Sequence, residues 1–190
     1  MSMFWKINTY GDPLKAVRMF LQTIWVQANL HGMLIPTNGS HKTTAKPQLI
    51  DTPERQEHVN PFRPLMTINA ARLIPAMLHE NPESKLSAVL RPCEMRAFVE
   101  MVKHDSFETN GLLTICLDCL GTYPADEYQW RVSRKESDSE LTKEALQFAR
   151  QGGMLSYRYR AACQTCVSPQ AHLADINIHV LGLPVRQLIL

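Results

Sequence analysis

The sequence predicts an α/β domain: a small, mostly parallel or mixed sheet flanked by helices, with cysteines gathered at the C-terminal strand edge. Three observations carry that reading. Leu86, Ala88, Val89 and Leu90 form a short apolar run between Ser84 and Pro92, as a buried strand requires. From Pro92 to Lys103 the apolar residues Met95, Phe98, Val99 and Val102 recur at helical spacing, with proline and glutamate in the first turn. After Asn110-Gly111, Leu112, Leu113, Ile115 and Leu117 form a second apolar run, which ends in Cys116-Leu117-Asp118-Cys119. Strand, helix and strand of these lengths make a βαβ unit with parallel strands. Cys93 then falls just past the C-terminal end of the first strand, and Cys116 and Cys119 at or past that of the second. In α/β folds this is the edge where ligands bind. Cys93 also opens a helix, where the dipole favours a thiolate.

The remaining elements follow in order. Met1 to Tyr10 has no clear pattern. Asp12-Pro13 reads as a cap and first-turn proline, and Val17, Phe20, Leu21, Ile24 and Ala28 continue a helix until Gly32. Met33 to Ile35 reads as a strand ending at Pro36, Asn38 to Lys46 as a polar surface loop, and Pro47 to Ile50 as a further strand. His41, Lys42 and Lys46 lack the glycine pattern of a phosphate cradle. Asp51 to Pro64 is a connector, and Asn69 to His79 a helix interrupted by Pro75. Tyr128 to Val132 is expected as a strand and Ser133 to Asp138 as a charged turn. Glu140 to Arg150 is expected as an amphipathic helix capped by Gly152-Gly153. Leu155, Tyr157 and Tyr159 alternate as a half-exposed strand, with Arg158 and Arg160 facing solvent or a partner. Pro169 to Ala174 connects to a strand over Asp175 to Val180. The apolar stretch Leu181 to Leu190 ends the chain.

Composition narrows the function. A chain of 190 residues, 45% hydrophobic and 20% charged, fits one soluble domain with a real core. A net charge of +2 with no basic, aromatic-laced stripe argues against nucleic acid. Charged residues Lys6, Asp12, Lys15 and Arg18 interrupt any secretory signal, and no apolar run is long enough to span a bilayer. The chain is expected in the cytoplasm. His58, His79 and His104 have no partners at ligand spacing and read as surface histidines.

Five cysteines remain, four of them in two Cys-x-x-Cys pairs. In a reducing compartment this pattern speaks for metal or redox chemistry rather than structural disulfides. A Cys-x-x-Cys turn brings two thiolates to one centre and surrounds them with backbone N–H groups. The 43 residues between Cys119 and Cys163 exceed the spacing of a compact zinc ribbon. Spacing leaves a cubane iron–sulfur cluster, structural zinc and a catalytic dithiol open, together with no metal at all. Neither pair opens a helix directly after a strand, as a thioredoxin-like dithiol does, and no histidine is assignable to Cys93 as a base.

The order of three motifs resembles a known family. Ala88-Val89-Leu90-Arg91-Pro92-Cys93-Glu94-Met95-Arg96-Ala97, then Leu113 to Cys119, then Cys163-Gln164-Thr165-Cys166 followed by Ala174-Asp175-Ile176, resemble the beta subunit of coenzyme F-420-reducing hydrogenases and formate dehydrogenases. Lys46-Pro47-Gln48 and the helix–Gly–strand opening add to the likeness, which covers roughly Asp12 to Gly182. The resemblance implies an iron–sulfur electron-transfer subunit holding one 4Fe-4S cluster and an FAD. Such a subunit works with other redox subunits of a hydrogenase, formate dehydrogenase or heterodisulfide-reductase-like complex, and passes electrons to or from a flavin or deazaflavin carrier. By position, the implied cluster ligands are Cys93, Cys119, Cys163 and Cys166. Cys116 is the spare, or a substitute for Cys119. Two features depart from the family: no Gly-Gly pair opens the first helix, and the chain stops at Leu190, before the family's glycine-rich segment with Gly-Trp. Both would help to hold a flavin. The expectation is therefore a shortened member that keeps the cluster, with FAD weakly supported. A zinc-stabilised interaction module without redox activity is the alternative.

Overall fold

A computed structural model describes residues 4–37, 46–105, 107–135, 138–149, 158–184 and 186–190. In chain order the elements are β1 (Lys6–Asn8), α1 (Pro13–Gln27), β2 (Gly32–Pro36), β3 (Pro47–Ile50), α2 (Ile74–Glu80), β4 (Leu86–Leu90), α3 (Pro92–Asp105), β5 (Leu112–Leu117), α4 (Ala125–Lys135), α5 (Asp138–Ala149), α6 (Ala161–Gln164), β6 (Ile176–Ile178) and β7 (Gln187–Ile189). Two 3-10 segments, Pro53–His58 and Ala70–Leu73, lie before α2.

The main sheet has the order β3-β2-β4-β5-β6. β2, β4, β5 and β6 run parallel, and β3 is an antiparallel edge. The fold is thus α/β with a mixed sheet flanked by helices. The β4–α3–β5 unit forms as expected, with Leu90 paired to Cys116. β1 and β7 form a separate antiparallel pair, joined to the end of β6 by a bridge between Ile189 and His179.

Strand alternation divides the core in two. Met33, Ile35, Val89, Ile115, Leu117 and Ile178 face Val17, Leu21 and Trp25 of α1. Leu34, Ala88, Leu90 and Cys116 face Ile74 and Met77 of α2 and Met95 and Phe98 of α3. Burying a leucine as fully as Leu21 contributes roughly 1.5–3 kcal/mol. A third cluster, of Leu65, Tyr123, Tyr128, Val132, Leu141 and Tyr159, lies beneath α4 and α5 and has Cys163 packed against it.

Several expectations hold at residue level. The Asp12 side chain accepts the Lys15 N–H at 2.9 Å and caps α1, with Pro13 in its first turn. Pro75 divides the expected helix into the 3-10 segment and α2. Residues His58, His79 and His104 are exposed.

Others are corrected. α1 ends at Gln27, and four residues separate it from Gly32, which begins β2. At Gly32 a Cβ would crowd Leu49 and Leu86, so close strand and side-chain packing explains this glycine better than a helix stop. The segment expected as a Tyr128–Val132 strand and charged turn is the helix α4, which runs to Lys135. Tyr128 and Val132, one turn apart, are its buried face; the i, i+4 period outweighed local β propensity. Helix α5 begins at Asp138 rather than Glu140. Arg150, Gly152-Gly153, Leu155 and Tyr157 lie outside the described residues, as do 38–45. Tyr159 belongs to no strand: its ring is buried against Tyr123, with centroids 4.8 Å apart.

Candidate functional site

The C-terminal edge of the sheet opens into a cavity of about 530 Å³. Cys93, Cys119, Cys163 and Cys166 line it, with Arg96 and Arg160. Three separate segments deliver these sulfurs: the first turn of α3, the loop after β5, and the α6 turn.

Cys93 is placed by the start of α3. Glu94, buried three positions after Arg91, accepts the Arg91 N–H at 2.9 Å and the Ala70 N–H at 3.0 Å. This half of a capping box closes the helix N-terminus and ties it to the 3-10 segment before α2. Arg91 is itself buried, and its guanidinium donates to the carbonyls of Arg63 at 2.8 Å and Leu65 at 3.0 Å.

Cys119 is placed by Asp118. This buried carboxylate accepts N–H bonds from Ala171 at 2.7 Å, Val180 at 2.8 Å and Leu181 at 2.9 Å. The Nδ1 atom of His179 lies 3.2 Å away. One side chain thereby fastens the end of β5 to the segments on either side of β6. The Cys119 N–H donates to the Pro169 carbonyl at 2.8 Å, and the Gly121 N–H donates to Cys119 Sγ at 3.4 Å.

Cys163 and Cys166 lie in and just after α6, which has only four residues. The Arg160 N–H donates to the Thr122 carbonyl at 2.9 Å and fixes its start. Thr122 Oγ1 stands 3.2 Å from Cys163 Sγ. Arg96 donates to the Ser168 carbonyl at 3.2 Å, so α3 also holds the return of this turn. Arg158 and Arg160 do not share a face. Arg158 pairs with Glu127 at 3.2 Å, whereas Arg160 lines the cavity and donates to the Met66 carbonyl at 3.4 Å.

Cys116 is separated from the other four. Strand alternation turns it away from Ile115 and Leu117, into the core against α2 and α3, where it is fully buried. Burial pushes its thiol up to about 12.

Two of the cavity thiols, those of Cys93 and Cys119, have a raised pKa as well. Burial pushes Cys119 up to about 11, against the opposing pull of the Arg91 charge and the Gly121 N–H. Cys93 is raised too, first by burial and then by the Glu94 charge, with Arg91 opposing. The thiolate expected at this helix start is therefore not favoured: loss of hydration and a neighbouring carboxylate outweigh the dipole. A charge on Cys163 raises both Cys93 and Cys119, and a charge on Cys93 raises Cys119.

Among the described residues, no group of three or more His, Cys, Asp or Glu side chains is arranged to hold a single metal ion. The four sulfurs border a space instead of meeting at a point. Four thiols are a donor set that structural zinc and a cubane iron–sulfur cluster both accept. Sequence reasoning gave no site role to Asp118, Glu94, Arg91, Arg96, Gly121 and Thr122. Two signals existed: a carboxylate inside Cys-x-x-Cys at a strand end, and a glutamate at the third helical position.

No helix among the described residues is long and apolar enough to cross a membrane. No protein-family profile matches the sequence. Among solved structures, the fold is similar to that of a chain from the F420-reducing [NiFe] hydrogenase complex of Methanosarcina barkeri, solved in a xenon-derivatization study. The TM-score is 0.68, with 97% of this chain and 72% of that chain covered. Sequence identity is 13%, so the likeness is one of fold.

Proposed function

We propose that this chain is an iron–sulfur electron-transfer subunit of a redox complex, with Cys93, Cys119, Cys163 and Cys166 holding one 4Fe-4S cluster. The observation that carries the reading is the sorting of the cysteines: four from three distant segments line one cavity, while Cys116 lies in the core. The fold shared with a chain of a hydrogenase complex supports a partner of the same kind, a hydrogenase, formate dehydrogenase or related redox subunit. Bound there, a cluster would supply reversible one-electron storage.

The protein's own residues do the rest. Asp118 and Glu94 hold the β5 end and the α3 start at fixed positions on the sheet edge. Loading requires each thiol to give up its proton, and for Cys93 and Cys119 burial opposes this until a cationic metal centre offsets it. Arg91 favours the deprotonated form of both. A flavin or deazaflavin carrier, FAD included, would exchange electrons at the partner side and need not be held by this chain. We place the protein in the cytoplasm on the same reading.

The test is anaerobic reconstitution with ferrous iron and sulfide, followed by metal, sulfide and flavin analysis. Iron and sulfide in equal amounts, with visible absorption that bleaches on adding dithionite, is the expected result. Stoichiometric zinc without iron would overturn the redox reading in favour of an interaction module.

A further inference from the structure

Two polar groups next to the cavity lie within hydrogen-bond distance of sulfur. The Gly121 N–H donates to Cys119 Sγ at 3.4 Å. Thr122 Oγ1 lies 3.2 Å from Cys163 Sγ, and the Thr122 side chain is almost wholly buried. These neighbours sit on one turn, fixed from both sides. The Tyr123 N–H donates to the Pro64 carbonyl at 2.9 Å, and the Thr122 carbonyl accepts from Arg160. Gly121 has a φ of +87°, and a Cβ there would strike the Tyr159 ring, so the turn keeps this glycine and the backbone course behind its N–H.

We propose that the Gly121-Thr122 turn sets the reduction potential of the centre bound at this edge, with the Thr122 hydroxyl as the adjustable member. The inference rests on the cluster reading above. When Cys163 is a thiolate it has no proton to give, so the hydroxyl must be the donor of this pair. One-electron reduction adds negative charge, part of which is carried on the ligand sulfurs. A hydrogen bond donated to such a sulfur stabilises the reduced form more than the oxidised one and raises the potential. Thr122 is thus a positioning and tuning residue and not a ligand. Its burial keeps water from replacing it.

Potentiometric titration of the reconstituted protein, followed by EPR, tests the proposal. Thr122→Val keeps the shape and removes the donor: with iron and sulfide content unchanged, its potential is expected to fall below that of wild type. Thr122→Ser restores the hydroxyl and is expected to return the potential toward the wild-type value. If Thr122→Val does not fold or load, Thr122→Ala is compared with Thr122→Ser, and a lower potential for alanine alone supports the proposal. Equal potentials with and without the hydroxyl overturn it. Failure of wild type to take up iron and sulfide is a separate outcome, read before any titration, and it removes both this proposal and the cluster reading beneath it.

Discussion

The cavity has two walls of different construction. One is the β4–α3–β5 unit, which carries Cys93 and Cys119 at the ends of parallel strands buried in the sheet. The other is the 158–171 segment, which carries Cys163 in, and Cys166 just after, a helix of four residues with no side-chain cap and no buried residue. The first wall is held by strand pairing and by two cores. The second is held by the buried Tyr159 and Ala171 and at a few polar points: Arg160 on Thr122, Arg96 on Ser168, Cys119 on Pro169 and Asp118 on Ala171. A short helix of this kind has little stability of its own, because nucleation uses most of what its hydrogen bonds return. Half of the sulfur set therefore depends on a small aromatic cluster and a few polar contacts rather than on strand pairing. This division predicts which substitutions separate cysteine placement from folding.

The largest effect is expected at the proposed ligands. Cys119→Ser, at the cavity, is expected to abolish stoichiometric iron uptake while leaving the circular dichroism spectrum and thermal transition near wild type. Cys116→Ala is expected to behave in the opposite way, with full iron uptake and about 1 kcal/mol lost in urea denaturation through reduced packing. Equal iron loss in both variants would mean that strand parity does not decide which cysteine of the Cys116–Cys119 pair is the ligand.

Asp118→Ala strikes the joint between the walls. It leaves three N–H groups, those of Ala171, Val180 and Leu181, without their acceptor. An orphaned buried donor costs roughly 1–3 kcal/mol, so a total of about 3 kcal/mol or more is expected, measured by chemical denaturation. Hydrogen exchange is expected to rise first at those three amides. A loss confined to β5, with unchanged exchange at Val180 and Leu181, would show that the β6 side is held by other contacts. Gly121→Ala is expected to cost roughly 1–3 kcal/mol, because it combines a positive φ with displacement of the buried Tyr159 ring. Its thermal transition should drop whether or not iron is present.

The two walls also differ in how far they can be read from the chain. The β4–α3–β5 unit is legible because its signals are local and agree: unbroken apolar runs, a proline-led helix and an Asn-Gly turn. Even the face taken by Cys116 follows from alternation along β5, opposite to that of Ile115 and Leu117. The other wall is illegible for a physical reason. Its place is decided by single long-range contacts, such as Arg96 to Ser168 and Asp118 to Ala171, and such contacts leave no periodic trace. The same cause misleads at α4, where Tyr128, Trp130 and Val132 look like alternating strand residues. Packing of Tyr128 and Val132 beneath the helix pair decides for helix, and Trp130 stays partly exposed with Arg134 over its ring at 4.3 Å.

The smallest expected effect concerns pH and tests the shared environment of the thiols without any metal. Cys116 and Cys119 are raised to about 12 and about 11 from an ordinary value of 9.0. A group whose pKa is higher in the folded chain keeps its proton there longer than in the unfolded chain. The folded state then binds more protons between the two values, and stability falls as pH rises through that window. The metal-free protein is therefore expected to lose stability between about pH 9 and pH 11, in urea denaturation at fixed ionic strength. Cys116→Ala removes one contribution and should flatten the slope, while Cys119→Ala should flatten it less, since Cys119 borders the cavity and water screens it in part. A slope unchanged in both variants would assign the alkaline loss to other groups. Buried Tyr159, whose pKa burial also raises, is the first to test next, by Tyr159→Phe.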